Sequence, residues 1–184
     1  MDLSAANEKL LKALAIAMVD HPAGTFKDIA EAAGVSKATL NRFCGTRNNL
    51  IERLFNYGST VISQVMDNAN LQDAPPLEAL QRLIENHLTH RELLAFLAFQ
   101  WRPDSLDERA GGSRWQPYSD ALDNFFLRGQ HEGVFRIDIS AQVLTEMFAS
   151  IIYGFVDAER RGRVARVGMA TQVMQFFLQG ATSR

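Results

Sequence analysis

The sequence predicts an all-α fold, and three observations carry that expectation. Apolar residues recur at helical rather than alternating spacing almost throughout. No run of β-branched residues bounded by turn signals reads as a strand. Capping residues and glycines fall where the periodic stretches begin and end. Ser4 is placed to cap a first helix with Leu10, Leu11, Leu14, Ala17 and Met18 on one face, and "HPAG" from His21 to Gly24 stops it. Thr25 with Asp28 has the form of a capping box for a short second helix, which Gly34 ends. Ser36 then caps a third. Gly45 and Thr46 close it and open a long fourth helix, with Leu50, Ile51, Leu54, Val61, Ile62, Val65 and Met66 on its inner side, which runs out near "NLQDAPP".

Beyond Pro76 the pattern resumes with Leu77, Leu80, Ile84 and Leu88 on an amphipathic fifth helix. "ELLAFLAFQW", from Glu92 to Trp101, is apolar nearly all round, as in a helix enclosed within a domain. "RPDSLDERAGGSR" reads as a surface loop from its Pro, Gly and charges. Trp115 to Gln130 forms the next helix, stopped near Gly133. Ser140 caps a long one bearing Leu144, Met147, Phe148, Ile151, Ile152 and Phe155, ended by "RRGR". The last carries Ala170, Val173, Met174, Phe177 and Leu178.

A chain of 184 residues with a net charge of -2 does not coat nucleic acid over its whole surface, but its charge is unevenly spread. All four lysines (Lys9, Lys12, Lys27, Lys37) precede residue 38, and between Lys37 and Leu54 the basic residues Lys37, Arg42, Arg47 and Arg53 face one acid, Glu52. The single cysteine, Cys44, excludes an intrachain disulfide and suits a reducing compartment. His87 and His90 stand at i, i+3 with no third ligand, and no nucleophile with a base and an orienting acid recurs at a recognisable spacing. The expectation is therefore no enzymatic activity, no metal and no cofactor. Without a basic leader or a stretch of about 20 apolar residues, the chain is expected to be soluble, cytoplasmic and without a membrane partner.

Two short helices joined by a Gly-containing turn are the helix-turn-helix pattern, whose second helix enters the DNA major groove. On a wheel of 100° per residue with Lys37 at zero, Asn41 lies at about 40°, Ala38 at about 100° and Arg42 at about 140°. Phe43, Leu40 and Cys44 fall at about 240°, 300° and 340°. A polar arc around a small Ala can therefore meet DNA while the apolar arc docks on the preceding helices. Arg42 matches guanine O6 and N7, Asn41 matches adenine or a phosphate, and Lys37, Ser36 and Thr39 match phosphates or base edges. Arg47, on the first turn of the fourth helix, and Thr25 and Lys27, at the start of the second, are further phosphate candidates.

Thr25, "IAEAAGVSKATL" from Ile29 to Leu40, Arg47 and Leu50 together resemble the N-terminal domain of the tetracycline-repressor (TetR) family of bacterial transcriptional regulators. Asn41, Cys44 and Arg47 stand where the family usually has Tyr, Phe and Lys. The resemblance implies a homodimer with a three-helix DNA-binding head, a linking fourth helix, and a helical body that binds a small ligand and dimerises through its last two helices. The implied domains are residues 1–52, the DNA-binding head, and 53–184, the effector-binding and dimerisation domain. The implied partners are double-stranded operator DNA, a second copy of the chain and a small-molecule effector that releases a repressor from a palindromic operator. An alternative reading keeps the helical small-molecule-binding body and treats the head as degenerate.

In that body, Phe96, Phe99, Trp101, Trp115, Tyr118, Phe125 and Phe126 cluster in the two segments that the resemblance places around an effector cavity. As a group they are candidate ligand contacts, each also suited to core packing. Phe148, Ile151, Ile152, Gly154 and Phe155, with Val173, Met174 and Phe177, make apolar stripes that could pair across a two-fold axis as a four-helix dimer interface.

Overall fold

The computed structural model describes residues 5–100 and 112–182, and among these it contains nine helices and no strand. They are α1 (Ala5–Asp20), α2 (Phe26–Ala32), α3 (Lys37–Cys44), α4 (Arg47–Ala69), α5 (Pro76–Thr89), α6 (Arg91–Gln100), α7 (Gly112–His131), α8 (Ala141–Arg160) and α9 (Met169–Ala181). The chain divides into two compact units: residues 5–60 with 91–100, and residues 61–90 with 112–182. A boundary at 52/53 therefore lies within α4, whereas the compact units divide between Thr60 and Val61, and α6 belongs with the first unit.

In the first unit α1 packs on α2 and α6, and α2 on α3. Leu11, Leu14, Ala15 and Met18 of α1, Ile29 and Ala30 of α2, Leu40 of α3, and Leu50 and Leu54 of α4 are all buried. The face expected on α1 is thus the one that closes the core. Phe96 of α6 is fully enclosed, with the Phe55 ring centroid 5.7 Å away. Tyr57 donates its hydroxyl to Glu8 Oε1 at 3.3 Å, linking α4 to α1. The Ser4 cap lies outside the described residues.

The second unit is built around rings. Phe126 has Phe125, Phe135, Phe148 and Phe177 at centroid distances of 5.0, 5.3, 6.1 and 5.5 Å, and all five rings are buried. Edge-to-face and tilted pairs at such spacings contribute roughly 0.5–1.5 kcal/mol each beyond their area. Gly129 makes the cluster possible, because a Cβ there would stand 2.3 Å from Phe135 Cδ2. The Gly129 carbonyl also accepts the backbone N–H groups of Val134 and Phe135, bringing the chain back from α7 onto its own helix. Arg128 donates to the carbonyls of Leu71 (3.0 Å) and Ala74 (2.7 Å), closing the α4–α5 turn against α7.

Two expectations need correction here. Gly112 to Arg114 read as loop but lie in the first turn of α7; N–H groups there owe no intrahelical bond, so loop-like composition is tolerated. Leu77 read as part of the inner face of α5 but is exposed, and the buried positions are Pro76, Ala79, Leu80, Leu83, Ile84, His87 and Leu88. The rest of the loop predicted from Arg102 onward lies outside the described residues.

Candidate nucleic-acid interface

The head's helix ends are fixed by short polar side chains, as the sequence pattern requires. The Thr25 hydroxyl accepts from Asp28 N–H at 3.3 Å, and Thr25 N–H donates to Asp28 Oδ2 at 2.8 Å, completing the capping box. Those bonds from Thr25 hold the Asp28 carboxyl below the usual carboxylate range. The chain then turns at Gly34, whose φ of 73° is the left-handed conformation that L side chains resist. Ser36 Oγ accepts from Thr39 N–H at 3.0 Å and starts α3. Gly45 ends it at a φ of 74°, and Thr46 Oγ1 accepts from Asn49 N–H at 3.1 Å to start α4.

Within α3 the two arcs separate. Lys37, Ala38, Asn41 and Arg42 are exposed, Thr39 is half-buried, Leu40 and Cys44 are buried and Phe43 is half-buried. Arg53 of α4 stacks over the Phe43 ring at 4.9 Å, a cation–π contact that covers the edge of the apolar arc. Cys44 Sγ–H points to the Leu40 carbonyl at 3.4 Å, and burial pushes its thiol up, so it remains a protonated small apolar group. Thr25 and Lys27 are exposed at the start of α2.

Arg47 behaves differently from the other candidates. Its guanidinium donates from Nη1 to the Gly24 carbonyl at 2.7 Å and from Nη2 to the Pro22 carbonyl at 2.8 Å. A phosphate role read from its position at the start of α4 did not foresee that bond, because nothing local in the sequence links it to residues 23 and 25 positions earlier.

The aromatic candidates are divided between the two units. Phe96 and Phe99 belong to the first unit, Phe96 in its core and Phe99 at 45% exposure, whereas Phe125 and Phe126 are enclosed in the second unit's ring cluster. Trp101 lies outside the described residues, and Trp115 is half-buried. Tyr118 brings a polar atom inward, its hydroxyl 3.1 Å from Nε2 of buried His87. His87 Nδ1 lies 2.7 Å from the Leu83 carbonyl, an acceptor, so the proton sits on Nδ1 and Nε2 accepts from Tyr118. Burial pushes the His87 pKa down to about 4 and the Tyr118 hydroxyl well above its ordinary value. A cavity of about 280 Å³ in the second unit lies elsewhere, between α5 and α9, lined by Ile84, Ala170 and Met174 with Gln81, Glu85, Thr171 and Gln175.

The stripes on α8 and α9 also divide. Phe148, Ile152, Val173 and Phe177 are buried in the chain's own core, Phe148 and Phe177 within the ring cluster. Ile151, Phe155 and Met174 are half-buried and Gly154 is exposed. Beside them, Val143, Met147 (49%) and Phe176 (65%) are large apolar side chains left in contact with solvent, and Phe155 pairs with Phe176 at 6.4 Å. On the α8 wheel Val143, Met147, Ile151, Gly154 and Phe155 fall within an arc of about 120°. The i, i+3, i+4 pattern could not separate this arc from its inward neighbour, since both are apolar.

No family model matches the chain. It is 60% identical over 183 residues to the HTH-type transcriptional regulator NfxB of Pseudomonas aeruginosa, covering 100% of this chain and 98% of that protein. It is 28% identical over 91 residues to the HTH-type transcriptional repressor LfrR of Mycolicibacterium smegmatis, half of this chain and 48% of that one. Among solved structures, the TetR-like regulator LfrR in complex with proflavine superposes with a TM-score of 0.73 at 20% identity, covering 96% of each chain. The ketosteroid transcriptional regulator KstR2 of Mycobacterium tuberculosis gives 0.72 at 17% identity, over 100% of this chain and 98% of that one. With a relative of this identity matched end to end, a capped helix-turn-helix and the shared fold, the chain belongs to the TetR family of helix-turn-helix transcriptional regulators.

Proposed function

We propose that the chain is a repressor that binds a palindromic operator as a homodimer and leaves it when a small molecule enters the body. The observation that carries the reading is the division of α3, with Lys37, Ala38, Asn41 and Arg42 exposed and Leu40 and Cys44 buried. Arg42 and Asn41 read base edges; Lys37, Ser36 and Thr39 hold phosphates or edges, and Thr25 and Lys27 add backbone contacts. Two such helices reach successive major grooves when their centres lie about 34 Å apart, which requires a dimer. The exposed arc of α8 with Phe176 of α9 supplies the apolar surface for it. The ligand shifts the population toward a conformer whose heads no longer match that spacing, and α4, continuous from the head into the second unit, carries the change.

For the ligand, the ring cluster is closed core, so the polar contact falls to Tyr118, whose hydroxyl proton goes to His87 and whose lone pairs can accept from a donor. Proflavine, bound by the LfrR structure, is a suitable first probe because it joins an apolar ring system to N–H donors. The test is fluorescence anisotropy of a duplex enriched from a random pool by the wild-type protein, at two salt concentrations with non-specific competitor. Tight, salt-sensitive binding that proflavine reverses supports the reading, and Tyr118→Phe weakens the reversal. Failure to enrich any duplex overturns it in favour of a small-molecule-binding protein with a degenerate head.

A further inference from the structure

We propose that Arg47 is a positioning residue for DNA binding, which fixes the α1–α2 turn so that Thr25 and Lys27 are presented in register with α3, and that it is not itself a phosphate contact. The inference rests on α2 and α3 forming the DNA-binding unit. Its ground is the pair of short bonds from Nη1 to Gly24 (2.7 Å) and from Nη2 to Pro22 (2.8 Å). Both acceptors are backbone carbonyls between α1 and α2, where no helix supplies donors, and Pro22 brings no N–H of its own to the turn. The turn is tight: Gly24 N–H donates to the His21 carbonyl at 3.0 Å, and a Cβ on Gly24 would stand 2.9 Å from His21 Cβ. A charged donor on a neutral carbonyl makes a strong hydrogen bond, and the planar fork of a guanidinium reaches two at once.

The next residue along the chain is Thr25, whose capping box sets the start of α2, and Lys27 follows within its first turn. Arg47 is also the first residue of α4, directly after the Gly45–Thr46 junction that ends α3. One side chain therefore joins the exit of the recognition helix to the entry of the helix before it. A lysine preserves charge but places a single point donor where two separated carbonyls need a fork. The two roles thus predict opposite outcomes for the same conservative change. A phosphate contact survives Arg47→Lys; the carbonyl tie does not.

The experiment measures affinity for the duplex enriched by the wild-type protein, for Arg47→Lys, Arg47→Ala, Lys27→Ala and Lys37→Ala and for the double variants, with helicity checked by circular dichroism. The expected result is a loss of about tenfold or more for both Arg47 variants, as for strong hydrogen bonds to a charged group. Lys27→Ala should cost little more once Arg47 is changed, while Lys37→Ala should cost as much as it does in wild type. Arg47→Lys binding within about twofold of wild type would overturn the inference, as would a Lys27→Ala cost that is equal in both backgrounds. Loss of the Lys37 effect as well would mean general loosening of the head and would also overturn it. If Arg47→Ala unfolds, the cycles are run with Arg47→Lys. A wild-type protein that enriches no duplex fails at the prior reading, which separates that failure from the others.

Discussion

The two units are held together by different physics. In the first, helix ends are specified by hydrogen bonds spanning three residues, Thr25 with Asp28, Ser36 with Thr39 and Thr46 with Asn49, over a mainly aliphatic core that also encloses Phe96. In the second, five phenylalanine rings drawn from α7, α8, α9 and the α7–α8 connection meet at 5.0–6.1 Å. The first arrangement places polar groups outward at defined positions and suits recognition. The second buries its chemistry, leaving few polar groups inside and giving each of them more weight.

The contrast is broken most severely in the ring cluster. Phe126→Ala should destabilise the second unit by about 3–5 kcal/mol, since the cavity would be enclosed by four other rings. Urea denaturation followed by tryptophan fluorescence would measure it, and a shift under 1 kcal/mol would mean that the cluster is loosely packed. The buried histidine tests the same unit by pH. Because His87 is held at about 4 against an ordinary 6.5, the unfolded chain binds a proton between those values that the folded chain refuses. Its contribution is full above 6.5 and is lost as pH falls through about 4, a difference of about 3 kcal/mol. The slope of stability against pH in that window should flatten in His87→Phe; an unchanged slope would assign it to other groups.

Smaller effects sharpen the picture of the head. Arg42→Ala should weaken duplex binding by about 1–3 kcal/mol with thermal stability unchanged, because the side chain is exposed on α3. Equal binding would remove it from the interface. Ser36→Ala should cost about 1 kcal/mol of stability by releasing the Thr39 N–H, and Ser36→Gly only a few tenths. A thermal scan of the three proteins distinguishes a cap from a residue that acts only on DNA.

How much of this was legible in the sequence follows from the range of each interaction. Thr25 with Asp28, Gly34, Ser36 and Gly45 reveal themselves because cap and partner, or turn and glycine, lie within a few residues. The all-α class, α3 and its exposed arc could therefore be read directly. Arg47 could not, since its carbonyls lie 23 and 25 residues away, and Arg128 still less, with acceptors 54 and 57 away. The body's aromatic residues were visible as residues, but period alone does not say whether Phe126 meets a cavity or four rings. The same ambiguity placed Phe148, Ile152, Val173 and Phe177 on an outer face although they point inward. Their neighbours Met147 and Phe176 are the exposed ones, and only the folded backbone distinguishes the two sets.

The separation of α3 into two arcs has a consequence for how such a protein changes over time. Lys37, Ala38, Asn41 and Arg42 bear no core weight, and exposed substitutions away from caps usually alter stability by no more than about 0.5 kcal/mol. Leu40 and Cys44 anchor the helix from its buried side. Under the proposed role of α3, new target sequences are reachable by single steps through folded intermediates. An engineer testing that proposal could randomise these four positions and leave the remaining architecture alone.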